Sequence, residues 1–177
     1  MSLSIVAMSV QSGAENRPNE IDFERLVDAE AGRLYRLALA IVDDPTEAED
    51  AVQETMVIAW RRWSSLQDVS NTSAWLTRVC VRECIRQRRW LRRRPVGTGG
   101  SSFEQGQFQF PDVGERLMDL HRAYQHLSAR QRAMVTLHHH DGFTVDECAA
   151  FLGCRPGTAR SHLGRAVAKL RKELADA

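Results

Sequence analysis

The sequence predicts an all-α protein of two small helical domains joined by a flexible linker, the second domain containing a helix-turn-helix. Three observations predict it. Apolar residues recur at spacings of three and four through almost every long segment, and no segment of comparable length alternates with period two. A length of 177 residues allows one domain or two of roughly 70 to 90 residues each. Between Pro95 and Pro111, the run includes four glycines and two serines, the composition of a linker. Residues 1–20 are expected to form a flexible tail, 21–94 the first domain, 95–111 the linker and 112–177 the second domain. Phe103, Phe108 and Phe110 are aromatic exceptions within the linker.

The first helix is predicted over 21–42, where Phe23, Leu26, Leu34, Leu37 and Ile41 fall on one face. Asp43 and Asp44 interrupt it. Asp44 suits a helix N-cap, Pro45 the first turn and Glu47 the third position beyond the cap, so a second helix should run to about Trp63. Ala48, Ala51, Val52, Thr55, Met56, Ala59 and Trp60 supply its inward stripe. A third helix is expected from about Thr72 to Arg93. Past the linker, helices are predicted over 113–126, from Ser128 to about His139, over 144–152 and from Pro156 to about Leu174. Ser128 with Gln131, and Thr144 with Glu147, are capping-box pairs. The turn Gly153-Cys154-Arg155 between the last two helices has the rhythm of a helix-turn-helix, whose second helix fits a major groove; an ordinary helical hairpin has the same rhythm.

Net charge conceals the distribution of charge. The total is +1, from 24 basic and 23 acidic side chains, and 22 of the basic residues are arginine. Residues 20–59 hold 11 acids and 3 bases, whereas residues 60–94 hold 10 arginines against Asp68 and Glu83. Residues 153–172 carry Arg155, Arg160, Arg165, Lys169, Arg171 and Lys172 with no acid. Arginine supplies a planar fork of donors for phosphates and base edges, so both basic stretches suit nucleic acid. Trp90 within the first could hold an unpaired base. Trp60 and Trp75 read also as core residues, and Trp63 and Trp90 as surface or core. Glu47, Asp50 and Glu54 can share a face that repels DNA and suits a basic protein surface, or simply faces water.

Other classes are disfavoured. No stretch approaches about 18 consecutive apolar residues, so membrane insertion is not expected. The N-terminal run Leu3–Met8 lacks the features of a signal peptide. Four cysteines, Cys80, Cys84, Cys148 and Cys154, are too few for a disulfide scaffold and fit reduced thiols in the cytoplasm. His138-His139-His140 points in successive directions about 100° apart on a helix, so no metal site is expected. No nucleophile–base–acid arrangement or phosphate loop is present, and neither catalysis nor a cofactor is predicted.

Asp43-Asp44-Pro45-Thr46-Glu47-Ala48-Glu49-Asp50-Ala51-Val52-Gln53-Glu54-Thr55, then Ala59-Trp60-Arg61 and Ala74-Trp75-Leu76, resemble the first domain of bacterial sigma factors of the extracytoplasmic-function group. Leu127–Arg132, Asp141-Gly142-Phe143-Thr144, Leu152-Gly153 and Gly157-Thr158-Ala159-Arg160-Ser161 resemble the second domain. The resemblance implies a non-enzymatic transcription initiation factor that binds bacterial core RNA polymerase, recognises promoter DNA and promotes strand opening. It implies polymerase contacts at Asp50, Gln53, Glu54 and Trp60. Single-stranded DNA at the minus-ten element would meet Arg78, Arg82, Arg86, Arg88, Arg89 and Trp90. Duplex DNA at the minus-thirty-five element would meet Arg155, Gly157, Thr158, Arg160, Ser161, His162 and Arg165. Arg82 and Arg86 stand where the family often has an asparagine and an aspartate, and His162 where it often has arginine. The resemblance further implies an inhibitory anti-sigma partner. An ordinary helix-turn-helix regulator with a protein-binding domain, or an interaction scaffold, is the alternative that the residues alone leave open.

Overall fold

The computed structural model describes residues 17–66, 69–91 and 115–175, and among them it contains helices and no strand. The expected linker and most of the N-terminal tail lie outside the described residues. Helix α1 spans Arg17–Val42, α2 Pro45–Arg61, α3 Trp63–Leu66 and α4 Thr72–Leu91. In the second half, α5 spans Glu115–Gln125, α6 Ala129–Val135, α7 Val145–Leu152 and α8 Pro156–Ala175.

Helix α1 begins four residues earlier than the sequence pattern indicates: Pro18 falls in its first turn, where a missing amide hydrogen leaves no helix bond unmade, and Phe23 and Leu26 dock on the bundle. Its inner face buries Leu34, Leu37, Ala38, Ile41 and Val42. Asp43 terminates it with φ 60°, a left-handed conformation that aspartate tolerates better than most residues. Asp44 then caps α2, its carboxylate accepting the Glu47 amide hydrogen at 2.9 Å, with Pro45 in the first turn. The cap satisfies an amide that the helix leaves without a partner. Helix α2 ends at Arg61 rather than near Trp63, and a separate turn, α3, seats Leu66 in the core. Trp63 on α3 meets Phe23 edge-on, with ring centroids 5.3 Å apart.

Helix α4 packs between α1 and the second half of the chain. Leu76, Cys80, Val81, Cys84 and Ile85 are buried along it. Arg33 ties α1 to this helix by donating to Thr77 Oγ1 at 3.1 Å. Cys80 donates to the Leu34 carbonyl at 3.8 Å. The Cys84 thiol is pushed well up by its hydrogen bond with Cys80 and by burial, so it behaves as a protonated, apolar group.

The second half contains an irregularity that the sequence pattern does not show. A single helix to about His139 is predicted, but α6 gives way at Thr136 to a π-helical turn ending at His140. The Asp141 amide donates to the Thr136 carbonyl at 2.9 Å. The buried Tyr124 hydroxyl anchors this wider turn from α5, donating to the Arg132 carbonyl at 2.9 Å and pairing with Thr136 Oγ1. His138 bonds the Phe143 carbonyl and its ring lies 4.9 Å from that of the exposed His139, while His140 pairs with Asp141. Among the described residues, no three His, Cys, Asp or Glu side chains are placed to share a metal ion.

Helices α7 and α8 meet through Gly153, whose φ of 63° makes glycine the natural residue at the turn. Phe143 and Phe151 stack edge-to-face beneath it at 4.9 Å. The buried apolar residues form one continuous cluster that includes Leu34 and Ile85 from the first half and Met134, Phe151 and Leu152 from the second. No described helix is long and apolar enough to cross a membrane.

The capping box of α7 supports a stability prediction. Thr144 Oγ1 accepts the Glu147 amide hydrogen at 3.3 Å, while the Glu147 carboxylate accepts from the Thr144 amide at 2.8 Å. Hydrogen bonding to Thr144 holds the Glu147 carboxyl below its usual pKa of 4.5. Replacing Thr144 by alanine should cost about 1 kcal/mol in urea unfolding at pH 7. Because the lowered group stabilises the fold only while ionised, the difference from wild type should hold constant above pH 4.5 and shrink as pH falls below it.

Candidate nucleic-acid interface

The residues expected to face a protein partner lie on α2. Asp50, Gln53, Val57 and Trp60 follow one another at helical intervals and are all exposed, forming one stripe. Glu54 flanks the stripe and is partly buried. Trp60 is 42% exposed, so it is not the core residue that its place in the apolar pattern suggests; its ring rests edge-on against Phe23 at 5.0 Å. Val57, 40% exposed, belongs to the same face. Its position four residues after Gln53 and three before Trp60 is the signal that would have identified it.

Glu47 departs from this acidic face. It turns towards α4, where Arg88 Nη1 lies 3.5 Å from Glu47 Oε1. Burial pushes its carboxyl pKa up, partly offset by the positive charge of Arg88. The opposing effects are those expected of a carboxylate half-removed from water beside a guanidinium.

Helix α4 carries the residues proposed for the melted strand. Arg78, Arg82, Arg86, Arg89 and Trp90 are exposed, and Trp90 is 56% exposed. Arg88 is set apart from them, half-buried against Glu47. Arg86 donates to Glu83 at 2.6 Å, which raises its pKa further above the ordinary arginine value and secures its charge. Arg82, Arg86, Arg89 and Trp90 line one side of a cleft of about 440 Å³, with Arg130 and Leu152 on the other. The sequence reading missed Arg130, since it lies 40 residues further along the chain on a different helix.

The residues proposed for duplex DNA cluster at the start of α8. Pro156 opens the helix, and Arg155, Gly157, Thr158, Arg160, Ser161 and Arg165 are exposed around its first turns. Ala159 and Ala166 are buried on the opposite face. The amide hydrogens of Thr158 and Ala159 are both taken by the Arg155 carbonyl, at 2.9 and 3.1 Å. Arg160 Nη2 lies 3.6 Å from Asp146 Oδ1 on α7, but both side chains are largely exposed and the attraction is screened. Ser161 Oγ donates back to the Gly157 carbonyl at 3.1 Å. His162 is half-buried, and its pKa is pushed below 6.5, chiefly by burial and then by Arg130 and Arg165. At neutral pH, it therefore adds no positive charge to this surface.

The chain therefore has one acidic and apolar stripe on α2 and two arginine surfaces, on α4 and α8. Residues 26–94 match the model for sigma-70 region 2, and residues 117–170 match the model for sigma-70 region 4. The chain is 34% identical over 155 residues to the extracytoplasmic-function RNA polymerase sigma factor SigL of Mycobacterium tuberculosis, covering 84% of this chain and 86% of that protein. It is 32% identical over 160 residues to the RNA polymerase sigma-E factor of Streptomyces avermitilis, covering 87% and 86%. Among solved structures, it is similar to the sigma factor RpoE of Bartonella quintana, crystallised with the anti-sigma factor NepR. The TM-score is 0.64 at 27% identity, covering 87% of this chain and 97% of that one.

Because these α8 side chains are exposed and the core faces away from them, Arg160→Ala and Arg165→Ala should leave the unfolding free energy within about 0.5 kcal/mol of wild type. Thermal unfolding followed by circular dichroism checks this, and a larger loss would show that either arginine supports the fold.

Proposed function

The chain belongs to the extracytoplasmic-function group of the sigma-70 family, transcription initiation factors that bind core RNA polymerase at promoters, and from that premise we propose how its surfaces divide the task. The first domain, residues 21–94, docks on core polymerase through Asp50, Gln53, Glu54, Val57 and Trp60. The separation of this stripe from the arginine surfaces is the observation that carries the assignment. A stripe with acidic residues at one end and exposed apolar side chains at the other suits a basic protein groove and is unsuited to DNA.

Strand opening falls to α4. Arg78, Arg82, Arg86 and Arg89 supply positive charge along a single strand, and the Trp90 indole offers a face for an unpaired base. Arg88 joins them when it leaves Glu47. The second domain, residues 112–177, places the start of α8 in the major groove at the upstream element. Thr158, Arg160 and Ser161 are positioned to approach base edges, while Arg155, the Gly157 turn and Arg165 suit phosphates. His162 completes this surface as a neutral side chain. Residues 95–111 connect the two domains.

The chain supplies binding and geometry; nucleotidyl transfer belongs to the polymerase. Its absence of a membrane-spanning helix among the described residues fits work in the cytoplasm, beside polymerase and the chromosome. The complex of the similar RpoE with NepR supports an anti-sigma partner for this chain as well.

Transcription reconstituted with core polymerase on a promoter library tests the whole assignment: productive initiation supports it, and none from a folded, polymerase-bound chain would refute it. Charge reversal by Asp50→Lys with Glu54→Lys should weaken binding to core polymerase at least tenfold while helicity is retained; unchanged affinity would displace the stripe. Arg160→Ala should weaken promoter-duplex binding by about 1–3 kcal/mol if the side chain reads a base. If it holds a phosphate, the loss should be uniform across sequences, and the slope of log affinity against log salt should fall by about one. Unchanged affinity across the salt series would remove Arg160 from the interface.

A further inference from the structure

The first turns of α8 present charge of one sign, with a single exception. Residues 153–172 contain Arg155, Arg160, Arg165, Lys169, Arg171 and Lys172 and no acid. Among the described residues, Asp146 of α7 is the one carboxylate that pairs with Arg155, Arg160 or Arg165; its Oδ1 lies 3.6 Å from Arg160 Nη2. Its neighbour Glu147 is committed to the Thr144 cap. Asp146 makes no cap bond, and 70% of its side chain is exposed, against 65% for Arg160. An exposed pair of this kind contributes little to folding. What it does place is a negative charge on a surface that is otherwise suited to a polyanion.

We propose that Asp146 is a specificity-determining residue of the duplex-facing surface, holding Arg160 away from phosphates and leaving it free for a base edge. This rests on the reading above that α8 meets duplex DNA. A phosphate drawn to Arg160 brings a negative charge towards the Asp146 carboxylate, and the two repel. The repulsion grows as docking excludes water and salt from between them. A base edge such as the O6 and N7 acceptors of guanine is neutral and meets no such repulsion. The carboxylate therefore lowers affinity for DNA of any sequence more than affinity for the sequence that Arg160 reads. Discrimination arises from a penalty on the wrong contact as well as from a gain on the right one.

The neighbouring arginines lack this device. Arg155 and Arg165 are exposed and have no carboxylate partner among the described residues, so they remain available to phosphates. Two arginines then supply general affinity, and the third, next to Asp146, supplies sequence dependence.

The test uses the full chain and a duplex enriched by binding from a random pool, with a scrambled duplex of the same composition as the non-specific probe. Asp146→Asn should bind the scrambled duplex about fivefold more tightly at about 50 mM salt, with unchanged helicity. Its slope of log affinity against log salt should steepen by about one, the mark of an added phosphate contact. Affinity for the enriched duplex should change by less than about twofold, so that discrimination falls. Asp146→Glu keeps the charge and should behave as wild type. In an Arg160→Ala background, Asp146→Asn should have no effect on either duplex, because the phosphate is no longer drawn in. Equal gains on both duplexes, the same gain without Arg160, or unchanged affinity for the scrambled duplex would overturn the proposal. In each of those cases, Arg160→Ala still weakens binding to the enriched duplex if α8 reads DNA, so that reading survives. A pool from which no sequence is enriched overturns the reading of α8 and this proposal with it.

Discussion

The junction at Asp43 and Asp44 is the constraint on which the arrangement of the chain depends. Adjacent carboxylates perform different tasks there. Asp43 accepts the left-handed conformation that turns the chain from α1 into α2, while the Asp44 side chain closes the first turn of α2. The direction of α2 follows, and with it the exposure of its Asp50–Trp60 stripe. The same Asp43 carboxylate faces Arg132, so the bend that organises the first domain also supplies the anchor for the second.

That ion pair is held at a desolvation cost. Removing two charges from water costs several kcal/mol per ion, and their mutual attraction offsets this only when geometry and hydrogen bonding are good. Here the guanidinium–carboxylate distance is 3.5 Å, and Arg132 Nε and Glu47 Oε2 are buried without a hydrogen-bond partner among the described residues. Burial pulls the Arg132 pKa down, the expected sign for a cation withdrawn from water. Separation of the halves would return both charges to water. Specificity of docking, rather than a large gain in stability, is what such a contact provides.

Much of this architecture was legible in the sequence because it depends on local chemistry. Asp44 with Pro45, Ser128 with Gln131, and Thr144 with Glu147 mark helix starts through side chains only three residues or fewer apart, and Gly153 marks the corner of the helix-turn-helix. The surfaces on α4 and α8 were visible as runs of arginine. What escaped depends on tertiary contact. Trp60 fits the apolar period of α2, but the bundle leaves it half in solvent against Phe23. The π-turn after α6 is held by Tyr124 from another helix. Arg88 looked like its arginine neighbours, and only the fold reveals Glu47 beside it. Arg132 carried no sign of burial, since an isolated arginine in a capped helix ordinarily faces water.

The cysteines follow a different logic from the charged groups. Cys80, Cys84 and Cys148 are buried, and desolvation pushes the Cys148 pKa up to about 11. Thiolate is the reactive form, so these side chains are nearly inert while the core is closed. Cys154, at the corner of the helix-turn-helix, is partly accessible. The chain thus carries an internal chronometer: the rate at which an alkylating reagent consumes its buried thiols measures how often the core itself opens, while Cys154 keeps time at the surface.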